Sequence, residues 1–182
     1  MVKRNILLFC IISIYGCFFK ALAMEPCIIK TKKGLPVLCK EIPTEKLSLE
    51  DYQVIHAAFN PHNTKDLCTQ KGLEDFKLSL RITHSKCCQA LLQSPTNELY
   101  ATVGLVTYTE KSDHLYIRLL GIEPASQKQG IAGALIQYLE MHTKLPELRL
   151  HTEESKKHIY VKLGFEDCSS YMKKIKNTQT SL

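Results

Sequence analysis

Leu119-Leu120-Gly121-Ile122-Glu123-Pro124-Ala125-Ser126-Gln127-Lys128-Gln129-Gly130-Ile131-Ala132-Gly133-Ala134-Leu135-Ile136 is the stretch from which the rest of the chain can be read. Its opening residues are apolar and β-prone, and Pro124 stops them. A polar turn follows, and then Gly130 and Gly133 open a segment in which Ile131, Ala134, Leu135, Tyr138 and Leu139 recur at helical spacing. The order is strand, turn, helix. Glycines at such a junction let a ligand approach the backbone. The unpaired N–H groups of a helix's first turn, together with the positive end of its dipole, suit an anion. A phosphate-bearing ligand is the expectation.

Two familiar phosphate loops do not fit. No Lys-Ser or Lys-Thr follows a glycine pair, as G-x-x-x-x-G-K-[ST] requires. Lys128 stands where G-x-G-x-x-G needs its first glycine. The stretch resembles instead the acetyl-CoA signature of the GNAT acetyltransferase superfamily, V-x-P, two residues, then [QR]-x-x-G-x-[GA]. Here that signature reads Ile122-Glu123-Pro124, Ala125-Ser126, Gln127-Lys128-Gln129-Gly130-Ile131-Ala132. About thirty residues on, Tyr160-Val161-Lys162-Leu163-Gly164-Phe165 resembles the family's Y-x-k-[LM]-G-F ending of the next helix.

The chain of 182 residues is long enough for one domain with a full core, and 45% hydrophobic with 23% charged residues is ordinary globular composition. The net charge of +6 favours anionic ligands but is too small to argue for nucleic acid. Residues 1–23 read as a signal peptide or membrane anchor: a basic start at Lys3 and Arg4, an apolar run from Ile6 to Phe19, and Ala21-Leu22-Ala23 as a cleavage signal. This predicts an exported or anchored protein, whereas translation from Met24 would give a cytoplasmic one. Of eight cysteines, two fall in that leader. The others form no CxxC pair, so no metal site is expected, and buried free thiols are preferred to disulfides. The adjacent Cys87 and Cys88 are expected on opposite faces of a strand.

Residues 24–34 read as an N-terminal extension, in which Cys27 to Thr31 is β-prone and Lys32-Lys33-Gly34 makes a turn, 35–176 as the domain and 177–182 as a polar tail. Leu35 to Ile42 makes a first strand with Leu35, Val37 and Cys39 on its apolar face. Ser48, with Asp51 three residues later, caps a helix running to about Phe59. Thr64 to Ile82 fits helical turns loosely, with Gly72 interrupting. Three strands follow, from Cys87, Glu98 and His114, and Gly104 inside the second suggests close approach by a neighbour. The glycine-led helix runs to about Lys144, Leu148 to His151 is a strand, and Glu153 leads a helix to Leu163 with Gly164 as its cap. Closing strands occupy Phe165 to Ile175. The resemblance implies an α/β GNAT acyltransferase fold, a mixed and mostly antiparallel central sheet flanked by helices. It also implies a gap between the strand ending at Ile122 and the one at Leu148, through which the cofactor enters.

Acetyl transfer to an amine requires a held pyrophosphate, a polarised thioester carbonyl, a proton acceptor for the amine and a proton donor for the thiolate. The backbone of Gln127, Lys128, Gln129, Gly130, Ile131, Ala132 and Gly133 is the candidate pyrophosphate cradle. The resemblance implies that the backbone of Leu120 and Ile122 pairs with the pantetheine arm and polarises the carbonyl, and that Tyr160 is the general acid. For the base, the strand offers His114, Tyr116 and Arg118 but no carboxylate before Glu123; Glu123 and His151 are the candidates, imidazoles in general titrating near neutral pH. Where the family often has Asn and Ala leading into the last helix, this chain has Glu153 and Lys156. The expected activity is N-acetylation of a primary amine, on a small molecule or on a protein lysine or N-terminus, by direct attack in a ternary complex. A silent domain that binds an acyl-CoA or a protein partner is the alternative. Family members are often dimers, so a homodimer is a further expectation.

Overall fold

A computed structural model describes residues 24–59, 68–94 and 99–176. The leader, the Asn60-Pro61 helix break and the polar tail lie outside the described residues.

The strands are β1 (Cys27–Lys30), β2 (Pro36–Ile42), β3 (Lys86–Gln93), β4 (Tyr100–Glu110), β5 (Leu115–Ile122), β6 (Glu147–Leu150), β7 (Glu166–Asp167) and β8 (Met172–Ile175). The helices are α1 (Leu49–Phe59), α2 (Gln70–Ile82), α3 (Ile131–His142) and α4 (Lys157–Lys162). All the strands join one sheet in the order β1-β2-β3-β4-β5-β6-β8-β7. Every neighbouring pair is antiparallel except β5 with β6. This is the mixed, mostly antiparallel sheet of the GNAT fold.

The sheet carries a hydrophobic cluster on each face. α3 covers one face, burying Ile131, Leu135, Tyr138 and Leu139 against Val37, Cys39, Val106 and Tyr108. α1 and α2 cover the other, where Ile55, Leu73 and Leu80 meet Cys87 and Leu105. With both faces covered, β4 is buried from Val103 to Thr109. Cys87 and Cys88 fall in opposite clusters, as successive strand residues must.

Ser48 and Asp51 cap α1 reciprocally: the Ser48 N–H donates to Asp51 Oδ2 (2.9 Å) and the Asp51 N–H donates to Ser48 Oγ (3.2 Å). The other Asp51 oxygen accepts from Gln89 and, at 2.8 Å, from Thr102, tying the helix to β3 and β4. Gly72 does not interrupt α2. A Cβ there would lie 3.0 Å from the Tyr52 hydroxyl, so the missing side chain is what lets α1 and α2 pack.

One difference from the sequence reading changes the outline of the domain. Residues 24–34 are not all an appendage: Cys27–Lys30 pairs antiparallel with β2, Cys27 opposite Cys39 and Ile29 opposite Val37. The run is β-prone in sequence but too short to show which strand it joins, and pairing with β2 decides it.

The six described cysteines are free thiols, three of them fully buried. Burial pushes Cys39 and Cys87 up to about 12, helped by the nearby Cys27 thiol in the first case and the Asp51 and Glu41 carboxylates in the second. Unfolded, these groups ionise near their ordinary value of 9.0. The folded pKa lies above the unfolded one, so their contribution is fully present below pH 9 and is withdrawn between there and about 12. Each should lower stability by up to about 1.4 kcal/mol per pH unit in that window. Urea midpoints measured from pH 8 to pH 10.5 should show the fall, and Cys87→Ala should remove one thiol's share. Identical pH slopes in the variant and the parent would refute the assignment.

Candidate active site

β5 pairs with β6 only through Leu115–Leu148, Tyr116–Arg149 and Ile117–Leu150. Beyond Ile117 the two strands part, and a cavity of about 450 Å³ fills the gap. It is lined from β5 by Ile117, Arg118, Leu119 and Leu120, and from the end of β6 by Leu150, His151, Thr152 and Glu153. Lys156 and Tyr160 enclose it from the last helical segment and Phe59 from the end of α1.

Two backbone features shape β5 along the cavity. First, Thr107 pairs with Leu119 but Tyr108 pairs with Ile117, so Arg118 is an extra residue, a bulge in β5. Second, the Glu123 N–H donates to Val103 O (2.9 Å), which fixes the alternation of the β4–β5 ladder. Gly121 and Leu119 turn their backbone groups toward β4, and Leu120 and Ile122 turn theirs to the open edge. Gly104 allows the close fit at this end. A Cβ on it would stand 2.7 Å from Ile122 Cδ1 and 3.3 Å from both Ile131 Cγ2 and Leu135 Cδ1.

The loop after β5 is built to leave donors free. Pro124–Ser126 form a short 3-10 turn held by the Ser126 N–H on Glu123 O (2.9 Å). Gln127 Nε2 donates to Ile122 O (3.2 Å) and Gln129 Nε2 to Ala125 O (3.4 Å), so both side chains brace the loop. Lys128 and Gly130 take positive φ, 60° and 89°. Such turns aim successive backbone N–H groups to one side. In α3 the Ala134 N–H is the first bonded in the helical pattern, to Gly130 O at 3.1 Å, and no side chain caps the helix. The N–H groups of residues 128–133 have no protein partner among the described residues. Gly130 also faces β1's end: a Cβ there would lie 2.9 Å from Thr31 Cβ, and Thr31 is itself buried.

Tyr160 lies half-buried at the cavity, its ring edge-on to Phe165 with centroids 5.9 Å apart. Its hydroxyl has no hydrogen-bond partner among the described residues. Burial pushes the phenol above its ordinary 10.0, which keeps it protonated. His151 lines the cavity, and its Nδ1 shares a 2.8 Å hydrogen bond with the Tyr116 hydroxyl. Glu123 does not reach the cavity lining: it sits past the end of β5, where its carboxylate accepts from Ser126 Oγ (3.1 Å) and holds the turn. His114 is also elsewhere, 2.8 Å from Asp113 at the opposite end of β5. Glu153 and Lys156, the two departures from the family pattern, pair with each other at 3.2 Å, so the carboxylate brings no uncompensated charge.

The sequence reading did not mark Phe59, Thr152 or Leu150 for this place. Phe59 is nearly half exposed at the cavity mouth; its position depends on how the sheet splays, which helical spacing does not encode.

Comparison with known proteins agrees with this architecture. The family described as the acetyltransferase (GNAT) domain matches residues 65–176, more than half of the chain. No curated protein sequence matches. Among solved structures, the PaiA N-acetyltransferase of Thermoplasma acidophilum in complex with coenzyme A is 15% identical, with 76% of this chain and 98% of that one covered and a TM-score of 0.54. A GNAT-family acetyltransferase from Staphylococcus aureus is 12% identical over the same shares, with a TM-score of 0.51. A structure assigned as an acetyltransferase from Pyrococcus horikoshii is 22% identical, with 72% of this chain covered and a TM-score of 0.53; this chain spans 43% of its length. At such identities the likeness is one of fold. With the loop, the splayed sheet and the family match together, the chain belongs to the GNAT acetyltransferase family.

Proposed function

We propose that the chain is an N-acetyltransferase that passes the acetyl group of acetyl-CoA directly to a primary amine while both are bound. The observation that carries this reading is the continuity between loop and cavity. The unpartnered N–H groups of residues 128–133 lie just past the C-terminal end of β5. The open-edge backbone of Ile122 and Leu120 leads from there to a cavity holding Tyr160 and His151. An extended thioester with a pyrophosphate at its far end suits that path.

In this reading the loop holds the pyrophosphate and the open-edge N–H of Leu120 polarises the thioester carbonyl. The amine attacks the carbonyl carbon, a C–N bond forms and the C–S bond breaks. The departing thiolate takes the Tyr160 proton, which solvent restores. The proton lost by the amine goes to His151: with Nδ1–H donating to the Tyr116 hydroxyl, the imidazole carries no hydrogen on Nε2, which accepts it. Glu123, which does not line the cavity, is left out of the proton path in this reading.

The test is turnover of acetyl-CoA by the full chain with a panel of primary amines, following thiol release and the acetylated amine by mass. Equimolar thiol and product are expected. His151→Gln should lower kcat/KM on the order of 100-fold while acetyl-CoA binding is kept. Acetyl-CoA bound without transfer to any amine would reject the reading and favour a silent domain that binds an acyl-CoA or a protein partner.

A further inference from the structure

Arg118 has no described carboxylate to answer. The β5 bulge sets it on the cavity, and among the described residues it makes no ion pair or hydrogen bond. The other cation of the lining, Lys156, is taken by Glu153. A nearby arginine shows the ordinary alternative: Arg149 is held by Glu147 and Asp113 and lies over the Tyr171 ring.

The direction of β5 says which ligand Arg118 faces. The anion-binding loop follows Ile122, so a thioester reaching back along the open edge meets Leu120 first. Arg118 is two residues further, about 7 Å at strand spacing, on the side of the reacting carbon away from the phosphates. His151 stands on the opposite wall of the cavity. Phe59, Ile117 and Leu119, with Leu150 across from them, give the cavity apolar walls around Arg118.

We infer that the acceptor is a small amine that carries a carboxylate, with Arg118 binding the carboxylate and the apolar walls taking a short hydrocarbon body; an apolar amino acid has this chemistry. The inference rests on the reading of the cavity as the transfer site. A guanidinium offers paired donors in the plane a carboxylate needs, and its charge opposes acceptors that are purely polycationic.

The experiment uses matched probes that differ only in the carboxylate: leucine against 3-methylbutylamine, and phenylalanine against 2-phenylethylamine. Each is titrated calorimetrically into full-length protein saturated with coenzyme A, and each is assayed for acetylation. The amino acids should bind roughly 30-fold more tightly than their partners. Arg118→Leu should bring that ratio within about 3-fold while leaving coenzyme A affinity unchanged, and Arg118→Lys should restore part of it. Equal binding of the matched probes, no binding of either amino acid, or weaker coenzyme A binding in Arg118→Leu would overturn the inference. Arg118-dependent binding without acetylation would uphold the carboxylate site and reject the transferase reading. Acetylation of both members of each pair at equal rates would do the reverse.

Discussion

Gly130→Glu is expected to lower acetyl-CoA affinity on the order of 100-fold or more, measured by isothermal titration. Three effects add. Gly130 has φ +89°, a conformation that costs a residue with a side chain about 1–2 kcal/mol. A Cβ there meets Thr31 Cβ at 2.9 Å, so β1's end or the loop must shift; overpacking of this kind costs about 1–3 kcal/mol. The carboxylate then stands where a pyrophosphate would be held and repels it. Gly130→Ala isolates the first two effects and should lower Tm while weakening binding less. Gly133→Ala is the contrasting control. Its Cβ would meet only Leu163 Cδ2, at 3.7 Å, and the helix gains up to about 1 kcal/mol from alanine. It should raise Tm and leave affinity within about 3-fold. If Gly130→Glu folds and binds acetyl-CoA like the parent, the loop is not the cofactor site.

Tyr160→Phe should lower kcat by about 100-fold, the low end for loss of a positioned general acid. Acetyl-CoA affinity should change by less than about 2-fold, because phenylalanine keeps the edge-on contact with Phe165. Stability should hold or rise slightly, since the hydroxyl removed has no partner among the described residues. The upward shift of the phenol gives the pH signature: the acid form persists past pH 10, so Tyr160 imposes no loss of activity below that point. Retention of kcat within about 3-fold in Tyr160→Phe would remove the tyrosine from the proton path.

The strand, turn and helix around Gly130 were legible because proline and glycine act locally: Pro124 ends the strand and Gly130 supplies a backbone angle that few residues tolerate. Tyr160 was legible through its neighbours, the Leu163-Gly164-Phe165 ending, where Gly164 indeed takes φ +89°. The bulge at Arg118 left no trace: the adjacent Leu119 and Leu120 pack on opposite faces of a sheet covered on both sides, as plain alternation gives. Cys27 to Thr31 was legible as a β-prone run before a turn; its pairing with β2 left no trace, because a four-residue strand gains its stability from its partner. Nor did the engagement of Glu123 with Ser126, a contact that depends on how tightly the turn closes. Sequence spacing reports local conformation well and long-range contact poorly, and the cavity walls are mostly long-range contacts.

The packing of Thr31 against Gly130 bears on where this domain can be cut or fused. A truncation designed on the matched span, starting at residue 65, would discard β1, β2 and α1. With them go Val37 and Cys39 from the main cluster and Phe59 from the cavity mouth. Even a trim to Leu35, which looks harmless, removes Thr31 from behind the loop and exposes the β2 edge to self-pairing. Expression fragments and tandem fusions of this domain should therefore retain the hairpin from Met24 onward, with any linker attached ahead of it.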